Sequence, residues 1–386
     1  MLSFYDAITR VPSFLSTAIT LKDCKMKITD INTRLVTIPL ITTFKTALRS
    51  VDRIENILVT VLTDSGQVGF GSAAPAAVIT GETVSSIIGG IEHIRDNLIG
   101  MEIGNSEMIF QRLNGCIVGC MSAKAAVDMA IYDLLAKSLE IPLYRLLGGV
   151  THEVETDITV SLDTPEKMIA ESREKMKRGF GILKIKVGGD PDLDIRRLQS
   201  IQEAIGSEIK LRIDANQGWT AKEAVRVGKE LEHRGIDIEL MEQPVAARDF
   251  DGLRYVRDNV AFPVYADESV FSPEDALELT GMNGVDGLNI KLMKCGGIYN
   301  ALKIASIAET AGIPCMIGSM MECHISVSAA AHLAVSRTII GRYDLDAPLF
   351  CSMNPAVGGI SYQGSRVCFS DAPGLGIDEI SNEMNS

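Results

Sequence analysis

From about residue 155 onward the sequence alternates short apolar strand patterns with amphipathic helix patterns, and this rhythm constrains the fold more than any other feature. Eight candidate strands occur, and their carboxyl ends lie 24 to 28 residues apart. The predicted strand ends are Ser161, Lys186, Asp214, Glu242, Asp267, Lys291, Gly318 and Asp344. Because each interval holds one helix pattern, the sequence predicts a (β/α) barrel. An open doubly wound sheet is the alternative, but the first strand–helix turn lacks the GxGxxG phosphate loop.

The part of the chain before the barrel lacks this regular alternation of strand and helix patterns. The 386 residues are enough for two or three domains. Residues 26–150 mix strand and helix patterns, including a hairpin around an Asp-Ser-Gly turn, and the Gly148-Gly149 pair ends this region. We therefore expect an α+β domain over residues 26–150 and the barrel over residues 151–345. Residues 1–25 fit neither pattern, and we interpret them as an extension, either an upstream start or a disordered arm.

Composition excludes several classes of function. With 37 Lys and Arg against 50 Asp and Glu, the formal net charge is −13, which argues against nucleic-acid and anionic-membrane partners. No apolar run approaches the ~20 residues that a membrane-spanning helix needs. The five histidines form no HxxxH or HxH pair, so a histidine-built zinc or iron site is not expected. Eight cysteines without a CxxC motif, and no secretory signal pattern, favour reduced thiols and a cytoplasmic protein.

Charged residues stand at the ends of five consecutive predicted strands, each within an apolar run. In a barrel the active site lies at the carboxyl ends of the strands, and a buried charge is costly unless it is paired or metal-bound. Strands three, four and five end in Asp214, Glu242 and Asp267. Each alone would be an ordinary helix cap or ion pair. Together, without histidine or thiolate, they form an oxygen-only site that Mg²⁺ fits best.

Lysines flank this arc of carboxylates, with Lys184 and Lys186 on strand two and Lys291 on strand six. In a KxK strand both side chains point to the same face, so Lys184 can lower the pKa of Lys186. A lysine acts as a base near neutral pH only when its pKa is lowered. A base on each side of a carbon, with Mg²⁺ holding a carboxylate, is what removal and return of an α-proton requires. The alternative is that the lysines only neutralise the carboxylates.

A resemblance to a known family rests on five motifs in order: KIK (184–186), RIDANQGW (212–219), MEQP (241–244), ADES (266–269) and NIKLMKCGG (289–297). Over about residues 26–380 the chain resembles the muconate lactonizing enzyme subgroup of the enolase superfamily, a superfamily that uses a Lys or His base with Mg²⁺. The resemblance implies an α/β fold, namely a (β/α)7β-type TIM-like barrel with an α+β N-terminal capping domain. It also implies that residues 346–386 return to the capping domain. The subgroup with a histidine base after strand seven is disfavoured, because that strand reads IGSMME without a His-Asp dyad.

Within this subgroup the chain is most similar to dipeptide epimerases. The resemblance implies a Mg²⁺-dependent 1,1-proton transfer at the C-terminal residue of a dipeptide. L-Ala-D/L-Glu is the leading substrate, and recycling of cell-wall peptide is the expected context. Lys186 and Lys291 would be the two acid/base lysines, and Lys184 would contact the substrate carboxylate.

The resemblance also assigns residues to the two ends of the substrate. Asp344 and Asp346 would hold the α-ammonium, and a carboxylate pair at a strand end suits an ammonium. Arg49 would pair with the distal carboxylate of a C-terminal glutamate. The alternatives are an unliganded rim pair and a plain surface arginine. The residues expected to line the substrate are Thr159, Ser319 and Met321.

Several other interpretations remain open. The Met320-Met321 pair is bulky and adaptable, which favours a broader or hydrophobic dipeptide specificity. A muconate cycloisomerase or o-succinylbenzoate synthase would share the carboxylate arc but would have no use for Asp344 and Asp346. A non-enzymatic, metal-binding scaffold barrel is the alternative of a different class. We also expect a homo-oligomer, and we expect His324 to begin a helix without a catalytic role.

Overall fold

The N-terminal part of the protein is an antiparallel sheet covered by helices. The computed structural model describes residues 25–149 and 151–381, so the predicted extension of residues 1–25 lies outside the described residues except for Lys25. The elements of this part are β1 Ile28–Lys45, β2 Ser50–Thr63, β3 Val68–Ala73, α1 Val84–Leu98, α2 Ser106–Gly115, α3 Met121–Ser138, α4 Leu143–Leu146 and β4 Glu153–Glu155. Strands β1, β2 and β3 form one sheet in that order. The predicted hairpin is β2–β3, and Gly66 supplies the positive φ of +83° that its turn needs.

Helix α3 packs closely against strand β3 because β3 carries glycines where the two meet. A Cβ atom at Gly71 would lie 1.9 Å from the carbonyl oxygen of Ala126, and one at Gly69 would lie 2.2 Å from that of Ala130. Any larger residue would push the helix off the sheet. The VGFGSA pattern of β3 is therefore a packing requirement of this domain.

The second part of the protein is a barrel of eight parallel strands. These are β5 Ile158–Val160, β6 Ile182–Lys186, β7 Lys210–Asp214, β8 Ile238–Glu242, β9 Val264–Ala266, β10 Gly287–Ile290, β11 Cys315–Gly318 and β12 Ile340–Asp344. They pair in chain order from β5 to β12. The amide of Asp157 donates to the carbonyl of Tyr343 at 3.2 Å and closes the ring between the first and last strands. Each strand ends within one residue of its predicted position, and the barrel prediction is confirmed.

Helices fill the connections between the barrel strands. They are α5 Pro165–Lys177, α6 Pro191–Ile205, α7 Ala221–His233, α8 Phe250–Arg257, α9 Pro273–Gly281, α10 Leu292–Cys295, α11 Ile298–Ala311 and α12 His324–Ala334. Local sequence fixes several of their starts. For example, Thr220 and Glu223 form a capping box at α7, and Asp190 caps α6. Within the described ranges, no helix is long and apolar enough to cross a membrane.

The chain after the barrel runs back to the N-terminal part. It contains a 3₁₀ helix, Ala347–Phe350, and strands β13 Ala356–Gly358, β14 Ser361–Gln363, β15 Arg366–Cys368 and β16 Ile377–Ile380. Strand β15 pairs with β4. Buried Asp133 of α3 accepts hydrogen bonds from the amides of Leu375 at 2.8 Å and Phe70 at 2.9 Å. One carboxylate of α3 therefore fastens both the sheet and the returning segment.

Candidate active site

Three carboxylates meet at the mouth of the barrel. Asp214 ends β7, Glu242 ends β8 and Asp267 directly follows β9, because the carboxyl ends of parallel strands lie at one edge. Their side chains are buried, and one oxygen from each lies within 4.8 Å of the others. Asn289 donates to Glu242 Oε1 at 2.7 Å, and Glu242 Oε2 forms an ion pair with Lys184 Nζ at 2.7 Å. This oxygen-only donor set fits Mg²⁺.

Two lysines reach the edges of this cluster from opposite sides. Lys186 Nζ lies 2.6 Å from Asp214 Oδ2, and Lys291 Nζ lies 2.7 Å from Asp267 Oδ2. Their strands, β6 and β10, are separated in the sheet by β7, β8 and β9. Both lysines line the same pocket above the carboxylates. The structure therefore brings together the two lysines that the sequence motifs singled out.

The third lysine occupies the centre of the charged cluster. Lys184 Nζ lies 2.7 Å from Glu242 Oε2, 2.7 Å from Asp344 Oδ2 and 3.1 Å from Asp214 Oδ2. Burial lowers the pKa of Lys184, but Asp344, Glu242 and Asp214 outweigh burial and hold this pKa well above its ordinary value. Lys184 is therefore a fixed ammonium that joins the carboxylate cluster to the last barrel strand. Its contact with a substrate carboxylate stays a prediction.

The charge balance at Lys291 differs from the sequence expectation of a lowered lysine pKa. Burial lowers the pKa of Lys291, but Asp267, Glu242 and Asp344 together outweigh burial, so that the pKa lies above its ordinary value. Sequence reasoning considered burial and neighbouring cations and overlooked the adjacent carboxylate. A cation held by Asp267, Asp214 and Glu242 would offset that carboxylate charge and lower the pKa of Lys291.

A second group of carboxylates lies on the other side of the pocket. Oxygens of Asp157, Asp344 and Asp346 lie within 4.8 Å of one another, and all three residues are buried. Asp346 Oδ2 accepts from the amide of Thr159 at 2.6 Å. Burial and then Asp344 raise the pKa of Asp346 to about 6. Burial also raises the pKa of Asp344, but Lys184, Lys291 and Lys186 together outweigh burial and bring this pKa to about 2. The pair thus concentrates negative charge where a cationic group can be bound.

Arg49 reaches the same pocket from the N-terminal sheet. It lies in the turn between β1 and β2, which closes with a hydrogen bond from the amide of Thr46 to the carbonyl of Arg49 at 2.9 Å. Lys45, just before this turn, pairs with Asp163 beyond β5 at 2.6 Å and so anchors the turn over the barrel mouth. The Arg49 guanidinium pairs with no carboxylate among residues 25–149 and 151–381, and burial lowers its pKa. A half-buried cation without a partner favours an anionic ligand.

The pocket collects most of the predicted substrate residues in one place. Besides the two lysines, the predicted residues that line it are Arg49, Thr159, Ser319, Met321, Asp344 and Asp346. A second cleft of about 470 Å³ adjoins the pocket and shares Arg49 and Met321 with it. The pocket lining also includes Phe44, Leu48 and Ile79 from the N-terminal part. The site is therefore built by both parts of the protein.

Sequence reasoning missed several buried polar residues around this site. Lys294 Nζ lies 2.6 Å from Asp267 Oδ1 and also bonds the Asp267 carbonyl. Glu268 accepts from Asn216 at 3.1 Å, and burial and then Asp267 raise its pKa to about 8. Asp157 pairs with Arg212 at 2.8 Å in the layer below the pocket. Each is a charged residue inside or next to an apolar strand, which is the signal that could have found them.

His324 begins α12, as expected. Burial lowers its pKa.

Comparison with known proteins decides the family. Residues 28–148 match the family described as "Mandelate racemase / muconate lactonizing enzyme, N-terminal domain". Residues 167–382 match the family described as "Enolase C-terminal domain-like". The chain belongs to the enolase superfamily. This membership accounts for the five strand-end motifs, since they lie where the barrel of the superfamily carries its site.

Among enolase-superfamily proteins, the chain is similar to several dipeptide epimerases. It is 51% identical to the L-Ala-D/L-Glu epimerase of Clostridium acetobutylicum over 358 residues, which cover 92% of this chain and 100% of that protein. A substrate-liganded L-Ala-D/L-Glu epimerase from Bacillus subtilis has a TM-score of 0.91 at 46% identity, covering 92% of this chain and 100% of that one. A dipeptide epimerase from Enterococcus faecalis, complexed with Mg and L-Leu-L-Tyr, has a TM-score of 0.89 at 45% identity, with coverage of 92% and 100%.

Proposed function

We propose that this protein is a Mg²⁺-dependent dipeptide epimerase that inverts the α-carbon of the C-terminal residue, with L-Ala-D/L-Glu as its leading substrate. The observation that carries this proposal is the position of Lys186 and Lys291 on opposite sides of one pocket that also contains Asp344 and Asp346. A base on each side of the pocket allows a proton to leave a substrate carbon on one face and return on the other. The epimerases to which the chain is similar support the same reaction.

Asp214, Glu242 and Asp267 would hold the metal ion in this proposal. Bound there, Mg²⁺ would supply positive charge near the substrate carboxylate, where negative charge increases as the α-proton leaves. Asn289 fixes the orientation of Glu242 through its 2.7 Å hydrogen bond. Lys184 adds a permanent cation beside the same carboxylates. Together these residues favour a bound carboxylate at the base of the pocket.

The two lysines move the proton. One takes it from the α-carbon as an amine, and the other, as an ammonium, returns a proton to the opposite face. The reverse reaction exchanges their roles. Asp214 and Asp267 hold the two Nζ atoms at hydrogen-bond distance, so both lysines are oriented before substrate binds.

Asp344 and Asp346 bind the α-ammonium and so fix which end of the dipeptide reacts. Charge-assisted hydrogen bonds between ammonium and carboxylate are about twice as strong as neutral ones. Thr159 holds Asp346 through its amide at 2.6 Å. A cycloisomerase or o-succinylbenzoate synthase substrate has no ammonium to place here, which makes those activities weaker alternatives.

Arg49 gives the site its preference for a C-terminal glutamate, since its guanidinium lines the pocket without a carboxylate partner among the described residues. The second candidate function is a broader epimerase specificity that includes hydrophobic dipeptides. Met320 and Met321 line the same pocket, and methionine adapts to varied apolar partners. The Enterococcus faecalis enzyme complexed with L-Leu-L-Tyr supports this candidate.

The experiment is a screen of purified protein with Mg²⁺ against a dipeptide library, with chiral analysis of the C-terminal residue. Epimerisation of L-Ala-L-Glu ahead of hydrophobic dipeptides supports the proposal, and the reverse order supports the second candidate. Asp344→Asn separates the remaining alternatives, because it cripples an epimerase and leaves cycloisomerase or o-succinylbenzoate synthase activity comparatively intact. A scaffold barrel would epimerise no dipeptide, and Lys291→Ala would leave its metal binding unchanged.

The proposed cellular setting is the cytoplasm, where such an enzyme would serve recycling of cell-wall peptide. The cysteines that the structure describes are all free thiols, which suits a reducing compartment. A homo-oligomer is the proposed assembly, and size-exclusion chromatography with light scattering tests it.

A further inference from the structure

The loop between β11 and α12, residues 319–323, brings Ser319 and Met321 to the pocket. We call it the strand-seven loop. The helix that follows begins at His324, and the side chain of its N-cap residue, Cys323, makes no capping hydrogen bond to it within the described chain. Residues next to the helix start therefore do little to fix this end of the loop. The hydrogen bonds that fix it come from residues distant in the chain.

Two polar residues of the N-terminal sheet make the hydrogen bonds that fix the strand-seven loop. Asn56 of β2 accepts a hydrogen bond from the Cys323 amide through Oδ1 at 2.8 Å. Ser72 of β3 accepts from the Ser326 amide at 3.1 Å, and the Cys323 thiol donates to the same hydroxyl at 3.3 Å. Asn56, Ser72 and Cys323 are each 0% exposed. The sheet thus caps helix α12 in place of the missing local cap.

The orientation of Asn56 is itself fixed. Its Nδ2 donates to the carbonyl of Glu55 at 2.8 Å, which leaves Oδ1 as the acceptor for the loop. On the N-terminal side of Met321, the Met320 amide donates to the carboxylate of buried Glu322 at 2.7 Å. Backbone amides on both sides of Met321 are therefore held, so the position of its flexible side chain is set by its backbone.

We infer that Asn56 and Ser72 are positioning residues that set the dipeptide selectivity of the site through the strand-seven loop. This inference rests on the proposed function. Neither residue is part of the pocket lining in the described structure, so both act through Met321 and Ser319. Loss of the Asn56 acceptor leaves the buried Cys323 amide without a partner, and the loop shifts to relieve that cost. The lysines and the metal ligands stand on other strands and stay in place.

The experiment compares Asn56→Ala and Ser72→Ala with the wild-type protein, using L-Ala-L-Glu and L-Ala-L-Leu as substrates. We expect the ratio of the two kcat/KM values to change by about tenfold or more, mainly through KM. Hydrogen exchange of the peptide segment 319–326 should be faster in both variants. Ser72→Ala removes a single oxygen atom, so it keeps the test open if Asn56→Ala fails to fold.

The matched control is Asn300→Ala. Asn300 of α11 donates to Asn114 of α2 at 2.9 Å, which is also a polar contact between the N-terminal helices and the barrel, but one that does not touch the strand-seven loop. The Asn300→Ala variant should leave the ratio of the two kcat/KM values unchanged. An unchanged ratio in folded Asn56→Ala or Ser72→Ala protein that still epimerises dipeptides overturns this inference alone. Absence of epimerisation by the wild-type protein overturns the proposed function and this inference with it.

Discussion

Lys186 ends β6 and Lys291 directly follows β10, and three strands separate these two, yet both lysines line one pocket and each bonds a carboxylate at the end of a neighbouring strand. This relationship places two proton-carrying groups on opposite sides of a common space. We therefore expect each lysine to serve one face of the substrate α-carbon.

Replacing either lysine should separate the two halves of the reaction. We expect Lys186→Ala and Lys291→Ala each to lower epimerisation by about 10²–10⁴-fold, the usual contribution of a positioned acid or base. Each variant should still exchange the α-proton of the one stereoisomer that faces its remaining lysine. Proton exchange of L-Ala-L-Glu and L-Ala-D-Glu in heavy water measures this.

The control for the lysine variants is Lys124→Met, which removes a buried ammonium that bonds the carbonyl of Asn114 and does not line the pocket. It should retain both exchanges. If Lys186→Ala and Lys291→Ala exchange the same stereoisomer, the assignment of one lysine to each face is wrong.

Magnesium should stabilise the protein through Glu242. A ligand at 100 times its Kd adds about 2.7 kcal/mol to the free energy of unfolding, so Tm should rise with Mg²⁺ concentration. Glu242→Gln should abolish most of that rise. Glu239→Gln is the matched control, because Glu239 lies on the same strand but pairs with Arg212 and Arg342 outside the metal cluster. Equal Mg²⁺-dependent shifts in the two variants would contradict the metal site.

Arg49→Met should weaken the preference for an acidic C-terminal residue. A hydrogen bond to a charged group contributes about 1.5–3 kcal/mol, so kcat/KM for L-Ala-L-Glu should fall by roughly 10- to 100-fold. The value for L-Ala-L-Leu should change little. Arg53→Met, at an exposed position on β2 whose nearest carboxylate is that of Asp52, is the control. A parallel loss for both dipeptides in Arg49→Met would rule out a selective role.

Dipeptide binding should weaken as the pH falls through about 6. Burial and the neighbouring Asp344 raise the pKa of Asp346 to about 6, so this carboxyl is charged above that pH and neutral below it. A neutral Asp346 attracts the substrate ammonium less, and KM should rise by up to about tenfold per pH unit below 6. Asp346→Asn should have a high KM that no longer changes over this range. A KM that is flat from pH 7 to 5 in the wild-type protein would contradict the prediction.

Much of the fold could be predicted because the barrel repeats a local pattern. Each strand is short and apolar, and the polar residue that closes it marks its end, so strand ends and the arc of Asp214, Glu242 and Asp267 follow from spacing alone. The contact between Lys184 and Asp344 could not be predicted in this way. It joins residues 160 positions apart and depends on closure of the ring.

The pairing of residues in the deeper polar layer also could not be predicted from the sequence. Asp157 and Arg212 form a buried ion pair below the pocket, but an alternating pattern does not reveal which inward-facing residues meet across a barrel. The same holds for Asn56 and Ser72, because their partner is a loop more than 250 residues away in the chain. Arg49 was found only through family resemblance, since a turn residue has no periodic signal.

The most direct test of the central claim is proton NMR of L-Ala-L-Glu with Mg²⁺ and the purified protein in heavy water. The account predicts that the α-proton of the glutamate residue is replaced by deuterium while L-Ala-D-Glu accumulates, and that the α-proton of the alanine residue is retained. Retention of the glutamate α-proton, for this dipeptide and for hydrophobic dipeptides alike, would contradict it.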